Sequence, residues 1–533
     1  MIADLDQSPG GEIRCDLCII GAGIAGVALA LALKDEKLDV CVLESGGTKY
    51  EDSTQALSRG RIVGVPYFAL DACRIRQLGG TSAHWGGACW PLEPVDFEKK
   101  DWLPGSGWPV AFGDIEPYFR KAHDFFQLGD YNYVQAGAGP APGKDTGAKT
   151  PLDLDYRYLR PKFYKTARVM RFGRLLDGEA SKPGGLRLYL HANVTALNMG
   201  AASGAIESAT VRTLSGKTTT VYAKQFVLAA GGIEIPRLLL ASNDRQGAGI
   251  GNQHDLVGRY FMDHLFLPAT CSMLFESNRD LGYFRTHVAS DQVQARGGLG
   301  LKTELLAGKR LLNTWFGLEI FGTPPVPRVS GMRERSAWNP ETLKQTTDEM
   351  QAYLSALRQQ SGASGGDKAK PAPFVVQATC VSEQAPNPNS RVTLSGDKDA
   401  LGVPLPALDW QLSADDYRSV IAVHKLLASE LGAASTGRLL LNLDPDEAAW
   451  SSVEKISTSG GVYGSYHHMG TTRMAHDPRH GVVDRDCIVF GTTNLYVASS
   501  SVFPTVGYAN PTLTIVALAL RLADRIKATS ARS

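Results

Sequence analysis

Cys15–Glu44 reads "CDLCIIGAGIAGVALALALKDEKLDVCVLE", and its order decides the fold. Cys15 to Ile20 is a short apolar strand, "GAGIAG" a glycine turn, "VALALALKDEKL" a helix ending in charges, and "DVCVLESGG" opens a second strand. Strand, glycine turn, helix and strand form the βαβ context that a dinucleotide fingerprint requires. Gly21 supplies the tight turn, Gly23 lets backbone approach a pyrophosphate, and Gly26 allows close helix–strand packing. The helix N-terminus offers free N–H groups and a positive dipole end to phosphates. Glu44, 18 residues beyond Gly26, fits the carboxylate that binds ribose hydroxyls.

Working outward, the chain of 533 residues is long enough for two domains or one large α/β unit. With 43% hydrophobic and 20% charged residues, its composition is that of a globular protein. A net charge of +1 gives no electrostatic basis for binding nucleic acid or an acidic membrane. Arg333 and Arg335, broken by Glu334, read as a solvated face. The N-terminal stretch "MIADLDQSPGGEIRCDL" has neither the basic nor the apolar region of a leader. The apolar run "TLTIVALALRLA" is too short to span a bilayer. Cytoplasmic localisation is the expectation. Of eight cysteines only Cys15 and Cys18 have CxxC spacing, without a second pair, so all eight read as structural.

Two stretches, 136–151 and 361–373, are rich in Gly, Pro and Ala and read as linkers or surface loops. "GLRLYLHANVTALNMG" and "KTTTVYAKQFVLAAGG" read as paired strands, and "IEIPRLLLAS" as a helix with Pro236 in its first turn. From about 268 to 455 the pattern changes to aromatic-rich strands and one helix, "ADDYRSVIAVHKLLASELG", predicting an antiparallel sheet. No second GxGxxG follows a strand, so one dinucleotide is bound. "FVLAAGGIEIP", Phe226–Pro236, looks like the segment by which flavoproteins meet their cofactor again, which favours FAD over NAD.

Three further motifs carry a resemblance. "GGTSAHW" within Arg76–Phe97, "LVGRYFMDH" (256–264) and "HHMGTTRM…ANPTLT" (467–514) stand in the order seen in the glucose–methanol–choline (GMC) oxidoreductases. The sequence resembles the pyranose-oxidase and sugar-dehydrogenase branch over most of its length, the middle segment matching loosely. The resemblance implies an α/β protein with a discontinuous Rossmann-like FAD-binding domain (12–110, 180–265 and 460–533). A loop or cap excursion (111–179) and a substrate-binding domain with an antiparallel sheet and helices (266–459) complete it. It implies FAD-dependent oxidation of a small-molecule alcohol, on a sugar, glycoside, aminosugar or polyol, to a carbonyl, with O2 or another electron acceptor. The alternatives are a lyase of the same fold that uses FAD without net redox chemistry, and an FAD-binding partner subunit. The cysteine cluster that would hold an iron–sulfur centre in some relatives is missing after residue 130.

Carried over residue by residue, the histidine before Gly-x-Thr that takes the hydroxyl proton is assigned to His468, and the residue holding the substrate oxygen to Asn510. An imidazole with a reference pKa of about 6.5 can serve as a neutral base, and an amide can donate to a developing alkoxide without titrating. Both side chains are expected on one face of the flavin, with His467 in packing. Cofactor contacts are assigned to Gly80, Thr81, His84, Trp85, Val194, Ala230, Gly231, Ala498, Asn510, Pro511 and Thr512, besides Gly21, Gly23, Gly26 and Glu44. His84 stands in the register of a histidine that can link covalently to flavin; a covalent link, a non-covalent contact and a structural role all stay open. Arg473 is expected to anchor its turn to carboxylates. Asp263–His264 lacks a third ligand and is expected beneath the flavin or at a hinge, and Asp484 and Asp486 near the FAD phosphates. Tyr156, Tyr158 and Arg160 read as either a sugar site or a packed loop; His476 and His480 are surface residues without a role.

Overall fold

The computed structural model describes residues 1–133, 152, 154–182, 186–200, 204–275, 281–289, 291–320, 374–443 and 462–530. The linkers expected at 136–151 and 361–373, and Arg333–Arg335, lie outside the described residues.

The apolar strands at the fingerprint build a parallel sheet because they are covered on both faces and cannot alternate with polar residues. Its parallel order is Ile2–Asp4, Arg187–Leu190, Val40–Leu43, Gly11–Ile20, Thr218–Leu228 and Leu495–Val497. The pairing expected of the two stretches around 190 and 220 is more divided than a hairpin. Arg187–Leu190 joins the parallel sheet, while Asn193–Met199, Ile206–Arg212 and the first half of Thr218–Leu228 form an antiparallel meander. The helices Ile24–Leu33, Phe112–Phe126 and Thr512–Ser530 pack together on this unit.

A second sheet is wholly antiparallel, in the order Gly437–Leu441, Leu265–Phe275, Phe374–Ser382, Thr314–Ile320, Gln294–Leu301, Leu159–Thr166 and Ala88–Cys89, with Thr286–Val288 at the side of Gln294–Leu301. Trp410 and the buried face of the helix Ala414–Ala433 contribute to its core. The excursion expected at 111–179 is therefore divided between the two units. Its helix Phe112–Phe126 packs on the last helix, Thr512–Ser530, and its strand Leu159–Thr166 extends the antiparallel sheet. Leu265 and Ala88 begin strands of the second sheet, so "MDH" leads into one of them and "ACW" starts on the other.

The helix Gly231–Ala241 holds Pro236 in its second turn, not its first. Proline has no N–H for the carbonyl four residues back. That carbonyl, of Gly232, accepts instead from Thr471 Oγ1 at 2.6 Å. The freed acceptor thus ties this helix to the strand that carries His467 and His468.

Candidate active site

Parallel strands deliver their C-terminal ends to one edge, where the strand order reverses and a crevice opens. Ile20–Gly21, Leu43–Glu44, Leu228–Ala230 and Val497–Ala498 all end there, joined by Gly21 N to Leu43 O (2.8 Å), Ala229 N to Ile20 O (2.7 Å) and Ala498 N to Leu228 O (2.9 Å). Gly21 has φ +103°, and a Cβ on Gly26 would lie 2.0 Å from Gly21 O, so only glycine permits this turn. The helix Ile24–Leu33 begins at Gly23 without a side-chain cap, and a Cβ on Gly23 would meet nothing nearer than Ala229 O at 3.8 Å. Uncapped amides beside an open backbone fit a pyrophosphate. Glu44 is buried, its Oε2 accepting from Ala22 N and its Oε1 from Gly46 N, both at 2.9 Å. Burial raises its pKa, and these amides and Arg76 work against the rise. Oε1 also accepts from Ser45 Oγ at 3.5 Å, and Oε2 keeps a second lone pair for a ribose hydroxyl. These residues fit a flavin dinucleotide.

The loop at 79–85 lies on this turn. Gly79 N donates to Ala22 O at 2.9 Å, and Gly80 approaches Gly23. Thr81 and His84 are exposed. Trp85 instead anchors the loop, its Nε1 donating to Met170 O at 3.0 Å and its ring packing on Phe126 and Phe172. Val194 starts the meander near Glu44, whose carbonyl accepts from Ala192 N. Gly231 (φ +82°) follows Ala230 at the head of its helix. Pro511 and Thr512 lead into the last helix. Arg74, Arg76 and Arg237 all pair with Glu234, which fastens the loop's approach to the helix Gly231–Ala241.

The two histidines part company. His467 Nε2 lies 3.4 Å from Asn510 Nδ2, and its Nδ1 lies 2.9 Å from His264 Nδ1. His468 faces the other way, its ring among Tyr67 and Phe261 and its Nε2 without a hydrogen-bond partner. The sequence expectation for His468 is corrected here: the histidine that converges with Asn510 is His467. The cause is strand alternation. Met262 and Met469 exchange both backbone hydrogen bonds as an antiparallel pair. Two residues along each chain, His264 and His467 fall on the same face, so His468 turns to the opposite one. Burial depresses the pKa of each histidine: His264 to about 4, His468 to about 3 with help from Arg74, and His467 well below its usual range with help from the two other histidines. All three are neutral at physiological pH.

Asp263 braces the pair. Its Oδ1 accepts the backbone N–H of His264 at 2.7 Å and of His467 at 3.1 Å, and Oδ2 accepts from the Tyr67 hydroxyl. Burial pushes its pKa up to about 6, against these donors. The Asp263 carboxylate and the His264 ring thus both support His467. Among the described residues no cluster of potential metal ligands occurs. On the far side, Asn510 Oδ1 accepts from Trp90 Nε1 at 3.0 Å. Trp90 itself stands edge-on to Tyr164, Trp315 and Tyr508 at 5.0–5.4 Å. Both ends of the Asn510 amide are thus engaged in the site, which distinguishes it from a helix cap. Gly507 N donates to the buried Glu383 at 3.3 Å, and Thr505 Oγ1 donates to Asp96 O at 2.7 Å, holding the loop ahead of Asn510.

Trp90 is the site residue that sequence reasoning passed over, and Asp263 and His264 were singled out there without their role in supporting His467. The available signals were the strand position of "MDH" and the second tryptophan of "WGGACW". Arg473 contacts Gly105 O and stacks on Tyr260 at 4.2 Å, so a carbonyl and an aromatic ring replace the expected carboxylates. Asp484 Oδ1 caps its own turn through Asp486 N and Ile488 N, and Asp486 pairs with Arg521 of the last helix. The backbone N–H groups of Arg157 and Tyr158 donate to Glu430, and Arg160 pairs with Glu93, while Tyr156 is buried. That stretch is a packed loop leading into a strand. His476 and His480 are exposed as expected. No helix among the described residues is long and apolar enough to cross a membrane.

Residues 386–519, which include His467 and Asn510, match the GMC oxidoreductase family. The chain is similar to GMC-type, FAD-dependent oxidoreductases. It is 24% identical to the fructose dehydrogenase large subunit of Gluconobacter japonicus, over 96% of the chain and 98% of the relative. It is 25% identical to 6'''-hydroxyparomomycin C oxidase of Streptomyces lividus, over 97% and 92%. Among solved structures, a formate oxidase of Aspergillus oryzae RIB40 shares the fold with a TM-score of 0.56 at 16% identity, covering 97% of this chain and 98% of that one.

Proposed function

We propose that this oxidoreductase converts a secondary or primary alcohol carbon of a sugar, glycoside, aminosugar or polyol to a carbonyl, with His467 as base and Asn510 as the oxygen-holding donor. The observation that carries the reading is the 3.4 Å separation of His467 Nε2 and Asn510 Nδ2. That gap is long for a direct hydrogen bond. A substrate hydroxyl that faces both atoms from the open side can donate to the ring nitrogen and accept from the amide.

The hydroxyl proton passes to His467 Nε2 as the C=O bond forms. Asn510 Nδ2–H stabilises the negative charge that grows on that oxygen. Asp263 holds the backbone of His467, so that the ring meets the hydroxyl in one orientation. FAD, when bound, accepts the hydride that leaves carbon. The substrate class is supported by relatives that include a fructose dehydrogenase subunit and an aminoglycoside oxidase. Either O2 or another acceptor closes the cycle, and the chemistry is set in the cytoplasm.

Anaerobic mixing with a panel of sugars, aminosugars, glycosides and polyols tests the reading. Flavin bleaching by at least one class, abolished in His467→Asn and retained in His468→Asn, is expected. Loss in His468→Asn alone would refute His467 as base, and failure of every alcohol to bleach the flavin would favour redox-neutral chemistry.

A further inference from the structure

Trp90, Asn510, His467, His264 and the Val506 carbonyl form one continuous chain of hydrogen-bonding groups, at 3.0, 3.4, 2.9 and 3.3 Å. Its two ends allow only one polarity. An indole N–H can only donate and a carbonyl can only accept. The Asn510 amide must then turn Oδ1 to Trp90 and Nδ2 to His467. At the other end, His264 must carry its proton on Nε2 to reach Val506 O. His264 is fully buried and neutral, so a single N–H is available to it and its Nδ1 is a bare acceptor.

We infer that His264 is a positioning residue that fixes the tautomer of His467: its bare Nδ1 requires His467 to carry its proton on Nδ1, leaving Nε2 as an open lone pair aimed at Asn510. This deepens the reading of His467 as base and rests on it. Left alone, an imidazole can place its proton on either nitrogen, and the wrong tautomer would present an N–H to the substrate hydroxyl. When His467 gains a proton at Nε2, both of its nitrogens become donors, and its Nδ1–H keeps an acceptor in His264. The charged ring then makes a charge-assisted bond where a hydrophobic neighbour would leave it unpaired. Charged and titratable groups around the pair are Asp263, whose Oδ1 takes both backbone N–H groups, Glu383, which faces His264, and His468.

The experiment is a comparison of His264→Leu, His264→Gln and His467→Asn as FAD-loaded enzymes, together with 15N NMR of the histidine-labelled wild type. A glutamine can accept from His467 Nδ1–H with its oxygen and donate to Val506 O with its amide, so it can replace both bonds. His264→Leu is expected to lower kcat about 10–100-fold with KM within about threefold, and His264→Gln to recover kcat to within about fivefold of wild type. The labelled wild type is expected to show His467 protonated at Nδ1 and bare at Nε2, and His264 the reverse. A proton on His467 Nε2 in the resting enzyme would overturn the inference even if His264→Leu failed to fold. So would a wild-type kcat in His264→Leu alongside an inactive His467→Asn. Full turnover in His467→Asn would instead defeat the underlying assignment of the base, whatever the His264 variants did.

Discussion

Replacing Trp90 by Phe removes one N–H and little else. The edge-on contacts to Tyr164, Trp315 and Tyr508 at 5.0–5.4 Å are ones a phenyl ring can keep. What disappears is the 3.0 Å bond that holds Asn510 Oδ1. A neutral hydrogen bond of this kind is worth about 1 kcal/mol, or roughly a fivefold bias toward one amide orientation. Without it, the orientation rests on the weaker 3.4 Å approach to His467 Nε2. The fraction of enzyme with Nδ2 directed at the substrate then falls toward about one half. The expected loss in kcat for Trp90→Phe is therefore about twofold, against about 100–1,000-fold for Asn510→Ala, which deletes the donor itself. Stopped-flow measurement of anaerobic flavin reduction, at saturating substrate and matched FAD content, separates the two. A Trp90→Phe rate as low as that of Asn510→Ala would refute an orienting role, because it would make Trp90 indispensable to the chemistry. An unchanged rate would equally refute it.

Gly26→Ala forces a Cβ to within 2.0 Å of Gly21 O, so the variant is expected to purify with less than about a tenth of the wild-type flavin, read from the ratio of visible to ultraviolet absorbance. Gly232→Ala puts a Cβ 2.3 Å from His468 O, and moving that strand is expected to lower stability by about 1–3 kcal/mol in chemical denaturation and to reduce kcat at full FAD content. Because burial holds His467 neutral well below the usual histidine range, kcat/KM is expected to stay level from about pH 8 down to about pH 6.5, and an acid limb centred near pH 7 would contradict this. His424 is buried between Val420 O and Thr270 Oγ1 with its pKa pushed down to about 4. The unfolded chain takes up this proton first, so its contribution is whole above about pH 6.5 and is lost as pH falls toward 4. Thermal melts of His424→Gln are expected to vary less with pH over that range than those of the wild type.

The fingerprint was legible because its chemistry is local. Gly21, Gly23 and Gly26 follow from one turn and one helix start, and Glu44 from the end of the next strand, so sequence spacing sufficed. Asn510 was legible for a similar reason, since it immediately precedes the last helix at Pro511 and Thr512. Trp85 was less so: its place in the loop is a matter of spacing, but the direction of its indole is set by Phe126 and Phe172, far along the chain. The second sheet was readable as antiparallel, whereas the recruitment of Leu159–Thr166 and Ala88–Cys89 to it was not, because cross-strand partners leave no mark on a single strand's periodicity.

For the adjacent histidines, sequence by itself determined that only one could face Asn510, since consecutive residues of an extended chain point to opposite sides. It could not determine which. That was decided by the register of Met262 against Met469, which brings His264 alongside His467, and by Asp263, whose carboxylate holds the backbone of both. A register is a relation between segments about two hundred residues apart, and only the folded chain contains it.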